Sequence, residues 1–217
     1  MTSPDVVAIG DVHGCASLLE QELTPHLDTG AELIFLGDLI DRSPEPDGDR
    51  KVLERVWQLQ DNPAAYGLAG VTVLRGNHEQ MLLDAMALST PEEDFDLWRC
   101  NGGHKDLLPL AREHKQWFKQ LPVTALRGNY LFVHAGVRPG VPLERQSFDD
   151  LIWIRKPFLS QPHGLPYTVV HGHTFRNDYQ VARLPHRIGI DTGAYLSGTL
   201  TTLRLDIPPE PNQGADA

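Results

Sequence analysis

The chain has 217 residues, enough for one domain of ordinary size, and its 41% hydrophobic and 22% charged residues are typical of a globular protein. It has only two cysteines, so a disulfide framework is not expected. Its N-terminus lacks the basic region and apolar stretch of a secretory signal, and no apolar run approaches the ~20 residues of a membrane helix. These features favour a cytoplasmic protein. The formal net charge of −10 argues against a general nucleic-acid binder, so neither a nucleic acid nor a membrane is expected as a partner.

The first half of the chain alternates predicted strands with predicted helices. Apolar runs predict strands at residues 6–9, 32–36 and 70–74. Helical spacing of apolar residues predicts helices at 15–27, 52–59 and 80–88, with a Pro- and Asp-rich loop at 43–49. This βαβαβ order predicts an α/β core.

The second half is irregular at first and then returns to strands. Residues 89–121 are predicted to be helical in pieces, and strands are predicted at 130–133, 167–170, 187–190 and 200–205. The proline-containing end, 208–217, is predicted to be a disordered tail. The sequence therefore predicts one domain over residues 1–207.

Polar side chains of one chemical type follow the predicted strands. Asp11 and His13 are two positions apart, a spacing that points both side chains the same way in extended chain. The full set that falls just beyond apolar strands is Asp11, His13, Asp38, Asn77, His134 and His173. Strand ends in open α/β sheets bind ligands, and oxygen and nitrogen donors without thiolates suit Mn, Fe or Zn. Six donors exceed one tetrahedral site and suffice for two ions that share a carboxylate.

Five motifs in order resemble a known family. They are Gly10-Asp11-Val12-His13-Gly14, Gly37-Asp38-Leu39-Ile40-Asp41-Arg42, Gly76-Asn77-His78-Glu79, His134-Ala135-Gly136 and Gly172-His173-Thr174. Together they resemble the phosphoprotein phosphatases, a family of calcineurin-like metallophosphoesterases, and most of all its small bacterial and phage lambda-type members. The resemblance implies a four-layer α/β/β/α sandwich, with two mixed sheets packed together and helices outside.

The resemblance also implies a metal centre with a defined division of ligands. Asp11 and His13 would hold the first ion, Asp38 would bridge both, and the second would be completed by Asn77, His134 and His173. Two divalent ions are expected, with Mn as the first choice and Fe or Zn as alternatives.

The implied reaction is in-line attack on phosphorus by hydroxide held between the two ions. His78 would be the general acid, oriented by Asp41, and the phosphate would be held by Arg42, Arg75 and Arg155. These roles agree with general chemistry. Arginine binds phosphate bidentately, and an alkoxide leaving group needs a proton. A positioned proton donor accelerates such a reaction by ~10²–10⁴-fold.

Several residues stand outside the implied roles. Ser43 takes the place of a glycine that usually follows Asp-Arg in the family, so this loop is expected to run differently. His171 is expected to pack or to support the site rather than to bind metal. Histidines without a strand-end context are expected at the surface: His26, His104, His114, His163 and His186. The segment 101–103 resembles one in the bacterial members, although a turn or a helix cap explains it almost as well.

The function predicted from these observations is a metal-dependent phosphomonoesterase. A protein serine/threonine phosphatase is favoured, with phosphotyrosine as a further substrate, so the partner would be a phosphoprotein, a phosphopeptide or a small phosphoester. The main alternative is a diadenosine tetraphosphate hydrolase; the symmetrical bacterial hydrolases tend to have glutamine, alanine and aspartate where His13, Asp41 and Glu79 stand here. A noncatalytic scaffold is a third alternative, but such a protein should have lost ligands.

Overall fold

Two β-sheets form the centre of the computed structural model, which describes residues 4–87 and 92–207. The strands of the described residues are β1 (Val6–Ile9), β2 (Glu32–Phe35), β3 (Gly70–Val73), β4 (Thr124–Arg127), β5 (Tyr130–Val133), β6 (Thr168–His171), β7 (Ala182–Leu184), β8 (Arg187–Gly189) and β9 (Thr202–Leu205). The first sheet has the order β3-β2-β1-β9 and the second β4-β5-β6-β8-β7. Both sheets are mixed, because β9, β4 and β7 run antiparallel to their neighbours.

Helices lie outside the two sheets, as the resemblance implied. They are α1 (Ala16–Leu23), α2 (Gly48–Asp61), α3 (Asn77–Ala85), α4 (Glu92–Cys100), α5 (Leu108–Glu113), α6 (Lys115–Gln120), α7 (Phe148–Trp153) and α8 (Ala194–Ser197). No helix of the described ranges has the length and apolarity needed to cross a membrane.

The alternation of side chains along each strand builds three layers of core. In β1, Val7 and Ile9 pack in a cluster with α1 to α5, while Val6 and Ala8 pack against the second sheet. The outer face of the second sheet packs on α7 and on a short 3₁₀ turn at Phe158–Ser160. Strands with both faces covered contain unbroken apolar runs, which is why the sequence predicts them well.

The structure differs from the sequence prediction mainly at element ends. Helix α3 begins at Asn77 rather than at residue 80, and α2 begins at Gly48, inside the predicted loop. Strands β4 and β7 were not predicted; both are edge strands with exposed positions and no continuous apolar run. Residue 88, the predicted end of the third helix, and the predicted disordered tail at 208–217 lie outside the described residues.

The parallel strands end at one side of the molecule. β1, β2 and β3 in the first sheet and β5, β6 and β8 in the second all run parallel within their sheets. The loops beyond them are tied together within each sheet, by Val12 N–H to Asp38 O (3.0 Å) and Gly172 N–H to His134 O (2.8 Å), and across the sheets by His173 N–H to the Asp11 carboxylate (3.0 Å). The two sheets therefore present one shared edge, on which the predicted site residues lie.

Candidate metal centre

The six predicted metal ligands are all buried at this shared edge, none exposed by more than 8%. Side-chain donor atoms of Asp38, His134 and His173 lie within 4.8 Å of one another, and so do those of His13, Asp38 and His78. Asp38 belongs to both clusters. A carboxylate between two donor sets is the arrangement that a bridged pair of cations requires.

The cluster around Asn77 consists of electron-pair donors that face one another. His134 Nδ1 lies 2.9 Å from the carbonyl oxygen of Leu36 and donates to it, so the Nε2 nitrogen carries a lone pair. That nitrogen faces Asn77 Oδ1 at 2.9 Å and Asp38 Oδ1 at 3.3 Å. Asn77 Oδ1 is also 2.9 Å from His173 Nδ1. Since converging acceptors repel unless a cation lies between them, this donor set fits a divalent metal ion.

The second cluster is similar but includes a predicted proton donor. His13 donates through Nδ1 to Ile40 O (2.9 Å), which leaves a lone pair on Nε2; this nitrogen lies 3.7 Å from Asp38 Oδ2 and 3.1 Å from the Arg42 guanidinium. His78 Nε2 lies 3.9 Å from the same carboxylate oxygen and has no hydrogen-bond partner among the described residues. The His13 nitrogen and the shared carboxylate thus flank a second position suited to a cation, with His78 beside it.

Asp11 lies beside these clusters and joins the two sheets. Both of its carboxylate oxygens accept the backbone N–H of His173, at 3.0 and 3.2 Å. Burial and the charge of Asp191 raise the pKa of Asp11 well above its usual range. The donor that accompanies His13 and Asp38 in the cluster is His78, so the ligand role of Asp11 stays a prediction.

The electrostatics keep the ligand atoms in the form that metals bind. Burial lowers the pKa of His13 and of His173 to about 3, and it lowers the pKa of His134 as well. Burial alone would raise the pKa of Asp38, but the surrounding histidines outweigh it and hold that pKa below its usual range. Neutral imidazoles around an ionised carboxylate are the protonation state required for divalent cations.

The backbone carries strain at the same positions. His13, Asp38 and His173 have φ values of 45°, 51° and 63°, in the left-handed region that non-glycine residues rarely enter. The Glu79 carboxylate stabilises this geometry: it accepts the N–H groups of Asp38 (2.9 Å), Leu39 (2.8 Å) and Gly76 (2.8 Å). Strain of ~1–3 kcal/mol per residue persists only where surrounding contacts fix it, and it concentrates at functional sites.

Glu79 was not identified as a site residue from the sequence. A glutamate at the third position of a helix that bonds back to the residue before the helix is a known start pattern. The predicted helix began at residue 80, so that position was not recognised.

His78 is held by a chain of buried hydrogen bonds. His78 Nδ1 lies 2.7 Å from Asp41 Oδ2, and the indole N–H of Trp98 donates to both oxygens of Asp41 at 3.0 and 3.1 Å. All three side chains are fully buried. Burial alone would lower the pKa of His78, but the Asp38 and Asp41 carboxylates outweigh it and raise that pKa. The geometry therefore favours a protonated imidazole with Nε2–H turned toward the Asp38 carboxylate.

The three predicted phosphate-binding arginines differ in placement. Arg42 lies 3.1 Å from His13 Nε2 and over the ring of Tyr195 (5.2 Å), beside the first cluster. Arg155 is exposed and adds to the burial effect that lowers the pKa of His134. Arg75 is bound elsewhere: it donates to Lys119 O at 2.6 Å and to Gln80 Oε1 at 3.1 Å. Arg42 is thus in contact with the clusters, and Arg75 is not.

Two further residues at the site were not identified from the sequence. Asp191 follows β8 just as the predicted ligands follow their strands; it is buried, and its carboxylate accepts the Gly193 N–H at 2.8 Å. Tyr195 packs edge-on against His13, with ring centroids 5.1 Å apart. Its position after a short turn has no spacing signal in the sequence.

Ser43 fits its loop without a left-handed backbone. Its hydroxyl lies 3.0 Å from Gly14 O and 2.9 Å from Glu45 O, while the two preceding residues, Asp41 and Arg42, have positive φ. Beside this loop is a cavity of about 500 Å³ with Arg42 in its wall. Its other charged walls are Glu45, Asp47, Asp49, Arg50 and Asp106, so acids outnumber bases.

Two histidines outside the clusters tested the sequence predictions. His171 lies on β6 but in neither cluster, which agrees with its predicted packing or supporting role. His163 was predicted at the surface, and this prediction was wrong. It is 1% exposed because its ring packs on Phe158 and bonds the backbone at both nitrogens.

Comparison with known proteins places this geometry in one family. The family model described as calcineurin-like phosphoesterase matches residues 4–196. Serine/threonine-protein phosphatase 1 of Salmonella typhimurium is 30% identical over 223 residues, covering 92% of this chain and 91% of the relative.

Nucleotide hydrolases are also similar. The symmetrical bis(5'-nucleosyl)-tetraphosphatase of Vibrio cholerae is 29% identical over 208 residues, which is 92% of this chain and 67% of the relative. A crystal structure assigned to a diadenosine tetraphosphatase superposes with a TM-score of 0.67 at 24% identity, covering 94% of this chain and 93% of that one. At that identity the structural likeness supports the fold.

Proposed function

The chain belongs to the calcineurin-like phosphoesterase family and is a hydrolase of phosphoester bonds, and from this premise we propose that it is a metal-dependent protein serine/threonine phosphatase. The observation that carries the proposal is the buried Asp41–His78 pair, whose free nitrogen lies next to the carboxylate shared by both donor clusters. A proton donor therefore stands beside the place where a phosphoester would be cleaved.

The value of such a donor depends on the leaving group. A serine or threonine alkoxide is about as basic as hydroxide, since water itself has a pKa of ~15.7. A phosphate-type leaving group, as released from a dinucleoside polyphosphate, is far less basic, with a pKa of ~6. The buried Asp41–His78 pair is accordingly of more use for an alkyl phosphoester than for a phosphoanhydride.

Two divalent cations, which we propose to be Mn²⁺, fit the donor clusters. Their ligands would come from six residues: Asp11, His13, Asp38, Asn77, His134 and His173. When bound, such ions neutralise charge on the phosphoryl oxygens and lower the pKa of a water molecule so that hydroxide is present at neutral pH.

The remaining steps belong to side chains of the protein. Arg42, next to His13 Nε2, can donate to phosphoryl oxygens through the planar fork of its guanidinium. His78 donates its Nε2 proton to the leaving oxygen, and Asp41 fixes the ring through Nδ1. Phosphotyrosine is proposed as a further substrate, on which proton donation matters less because its leaving group is a phenol.

The second candidate is dinucleoside tetraphosphate hydrolysis, which relatives at comparable identity are named for. The acidic wall beside Arg42 argues for the first candidate, because its acids outnumber its two arginines and would repel the extra charges of a polyphosphate chain. This holds although burial raises the pKa of Asp49 to about 7 and weakens its share of the charge.

The deciding experiment strips the protein of metal, adds Mn²⁺, and compares a phosphoserine peptide with diadenosine tetraphosphate at equal concentration. We expect inorganic phosphate from the peptide as the faster reaction, with Fe²⁺ and Zn²⁺ as parallel metal arms. Faster release of nucleoside diphosphate from the dinucleotide would contradict the protein-phosphatase proposal. Equal rates with and without added metal would contradict the proposed cofactor.

A further inference from the structure

We infer that the turn closing α4, residues 98–103, positions both the proton donor and the phosphate-binding arginine. The inference rests on the proposed function, because it assigns His78 and Arg42 to the reaction. The sequence singled out part of this segment, Asn101-Gly102-Gly103, without assigning it a role.

The first contact of the turn is made by Trp98, through Asp41. The indole N–H reaches both oxygens of the Asp41 carboxylate, at 3.0 and 3.1 Å, and the second oxygen is 2.7 Å from His78 Nδ1. A carboxylate pinned at both oxygens cannot rotate, so the ring that it orients cannot rotate either. Trp98 therefore acts on the proton donor as a positioning residue, with no direct role at the reacting atoms.

Gly103 sets the position of the indole itself. A Cβ atom at Gly103 would lie 2.2 Å from the Trp98 ring. The backbone N–H of Gly103 donates to Trp98 O at 3.0 Å. The ring lies directly on the glycine backbone. Only a residue without a side chain permits this approach.

The second contact of the turn is made by backbone carbonyls on Arg42. Asn101 O accepts the Nε–H of the guanidinium at 3.2 Å, and Gly102 O accepts the backbone N–H of Arg42 at 3.3 Å. With Nε held, the guanidinium extends toward His13 Nε2, 3.1 Å away. Gly102 has φ +102°, and a Cβ there would lie 2.7 Å from Arg42 Cγ.

The contacts of Trp98 and of the backbone carbonyls are made to two consecutive residues, both with a left-handed backbone conformation. Asp41 and Arg42 have φ of 68° and 61°, which directs one side chain to His78 and the next toward the first cluster. The 98–103 turn contacts each of them, and so it fixes the angle between the proton donor and the phosphate arginine. That angle matters for an in-line reaction, because the proton donor must face the leaving oxygen on the reaction axis while the arginine binds the phosphoryl oxygens around that axis.

The first test is Trp98→Phe, which removes the N–H but keeps an aromatic ring. We expect kcat on a phosphoserine peptide to fall ~10–100-fold, the range for losing a hydrogen bond to a charged group, with a much smaller loss on p-nitrophenyl phosphate. In a His78→Asn background, Trp98→Phe should cause no further loss on the peptide. The matched control is Trp117→Phe, which also removes an indole hydrogen bond, to Gln60 Oε1 (2.8 Å), outside the site.

The second test is Gly102→Ala, which acts on Arg42 without touching Trp98. We expect KM for both substrates to rise and competitive inhibition by inorganic phosphate to weaken, while the ratio of peptide to p-nitrophenyl phosphate rates stays at the wild-type value. This variant keeps the inference testable if Trp98→Phe does not fold, which thermal unfolding of each variant will show.

The outcomes separate the inference from the function on which it rests. Equal losses on both substrates, or a further loss in the His78→Asn background, would show that Trp98 only stabilises the fold. Unchanged phosphate inhibition in Gly102→Ala would overturn the action on Arg42. A wild-type protein that hydrolyses neither ester would instead overturn the proposed function, and the inference with it.

Discussion

Histidines are buried in two regions of this molecule, and the two regions use them differently. The site histidines are His13, His78, His134 and His173, at the shared strand edge. The outer histidines are His163 and His171, which pack on Phe158 beyond the second sheet. Burial lowers the pKa of His171 to about 3, as it does for His13 and His173. Burial and a lowered pKa therefore occur in both regions and do not by themselves mark a metal ligand.

The difference lies in what the ring nitrogens face. In the outer region every nitrogen has a hydrogen-bond partner of the right kind: His171 faces Gly172 O (3.0 Å) and the Arg187 guanidinium (3.1 Å), and His163 bonds His186 O and the Leu165 N–H. In the site, the ring nitrogens of His134 and His173 face Asn77 Oδ1, and His134 also faces the Asp38 carboxylate. Converging acceptors of this kind, rather than burial, favour a metal site at a buried histidine.

The largest expected effect comes from removing the carboxylate that both site clusters share. Asp38→Asn should abolish metal binding at both positions and lower turnover by at least ~10³-fold, since metal ions supply several kcal/mol of transition-state stabilisation. Metal content by mass spectrometry and phosphate release measure the two effects. The matched control is His171→Leu, a buried polar group removed from the outer region, which should keep its metal. Equal metal loss in both variants would remove the distinction between the regions.

The next effect tests whether His78 belongs with the ligands or with the proton donors. His78→Asn should keep its metal content but lose ~10²–10⁴-fold in turnover of an alkyl phosphoester, with a smaller loss for an aryl ester whose leaving group needs no proton. Metal content and the two rates are measured on the same preparation. If the metal at the first cluster is lost together with His78, its role is ligation.

The structure brings the predicted ligands together because they follow strands that are buried on both faces. Each predicted ligand lies within a few residues of an apolar run, so position along the chain translates directly into position at the sheet edge. The same reasoning failed for His163, which has no strand next to it and is buried through contacts distant in sequence. Spacing alone also could not separate His171 from His173, a distinction that came from the family resemblance. A spacing of two residues predicts that both side chains point the same way along a strand, but the φ of 63° at His173 turns its side chain into the site.

The long-range contacts that hold the site residues in position were the hardest to predict from the sequence. Trp98 packs in the core, but its bond to Asp41 joins residues 57 positions apart. Arg75 was predicted at the phosphate, yet the carbonyl of Lys119, 44 positions away, binds its guanidinium. Contacts of this length depend on how α4 and α6 pack on the first sheet, and no local pattern records that packing.

A moderate effect is expected in the outer region, on stability rather than on activity. His171→Leu leaves the buried Arg187 guanidinium without one of its acceptors, which should lower the free energy of unfolding by about 1–3 kcal/mol. Urea unfolding of the metal-stripped proteins measures this change without a contribution from bound ions. An unchanged unfolding free energy would mean that the His171–Arg187 contact contributes nothing, and the outer region would then lack the structural role that the comparison gives it.

The smallest effect is a change in the slope of stability with pH. The pKa of His171 is about 3 in the folded protein, below its unfolded value of ~6.5, so the unfolded state binds a proton first as pH falls. His171 therefore costs no stability through protonation above pH ~6.5, but between that pH and about 3 it destabilises the fold by up to ~1.4 kcal/mol per pH unit. His171→Leu removes this contribution, so the stability deficit of the variant at pH 7 should shrink as the pH falls to 5. If wild type and variant lose stability with falling pH in parallel, His171 takes up a proton as readily in the folded protein as in the unfolded one. Only an imidazole that burial keeps neutral in the fold can make the wild type lose stability faster than its variant.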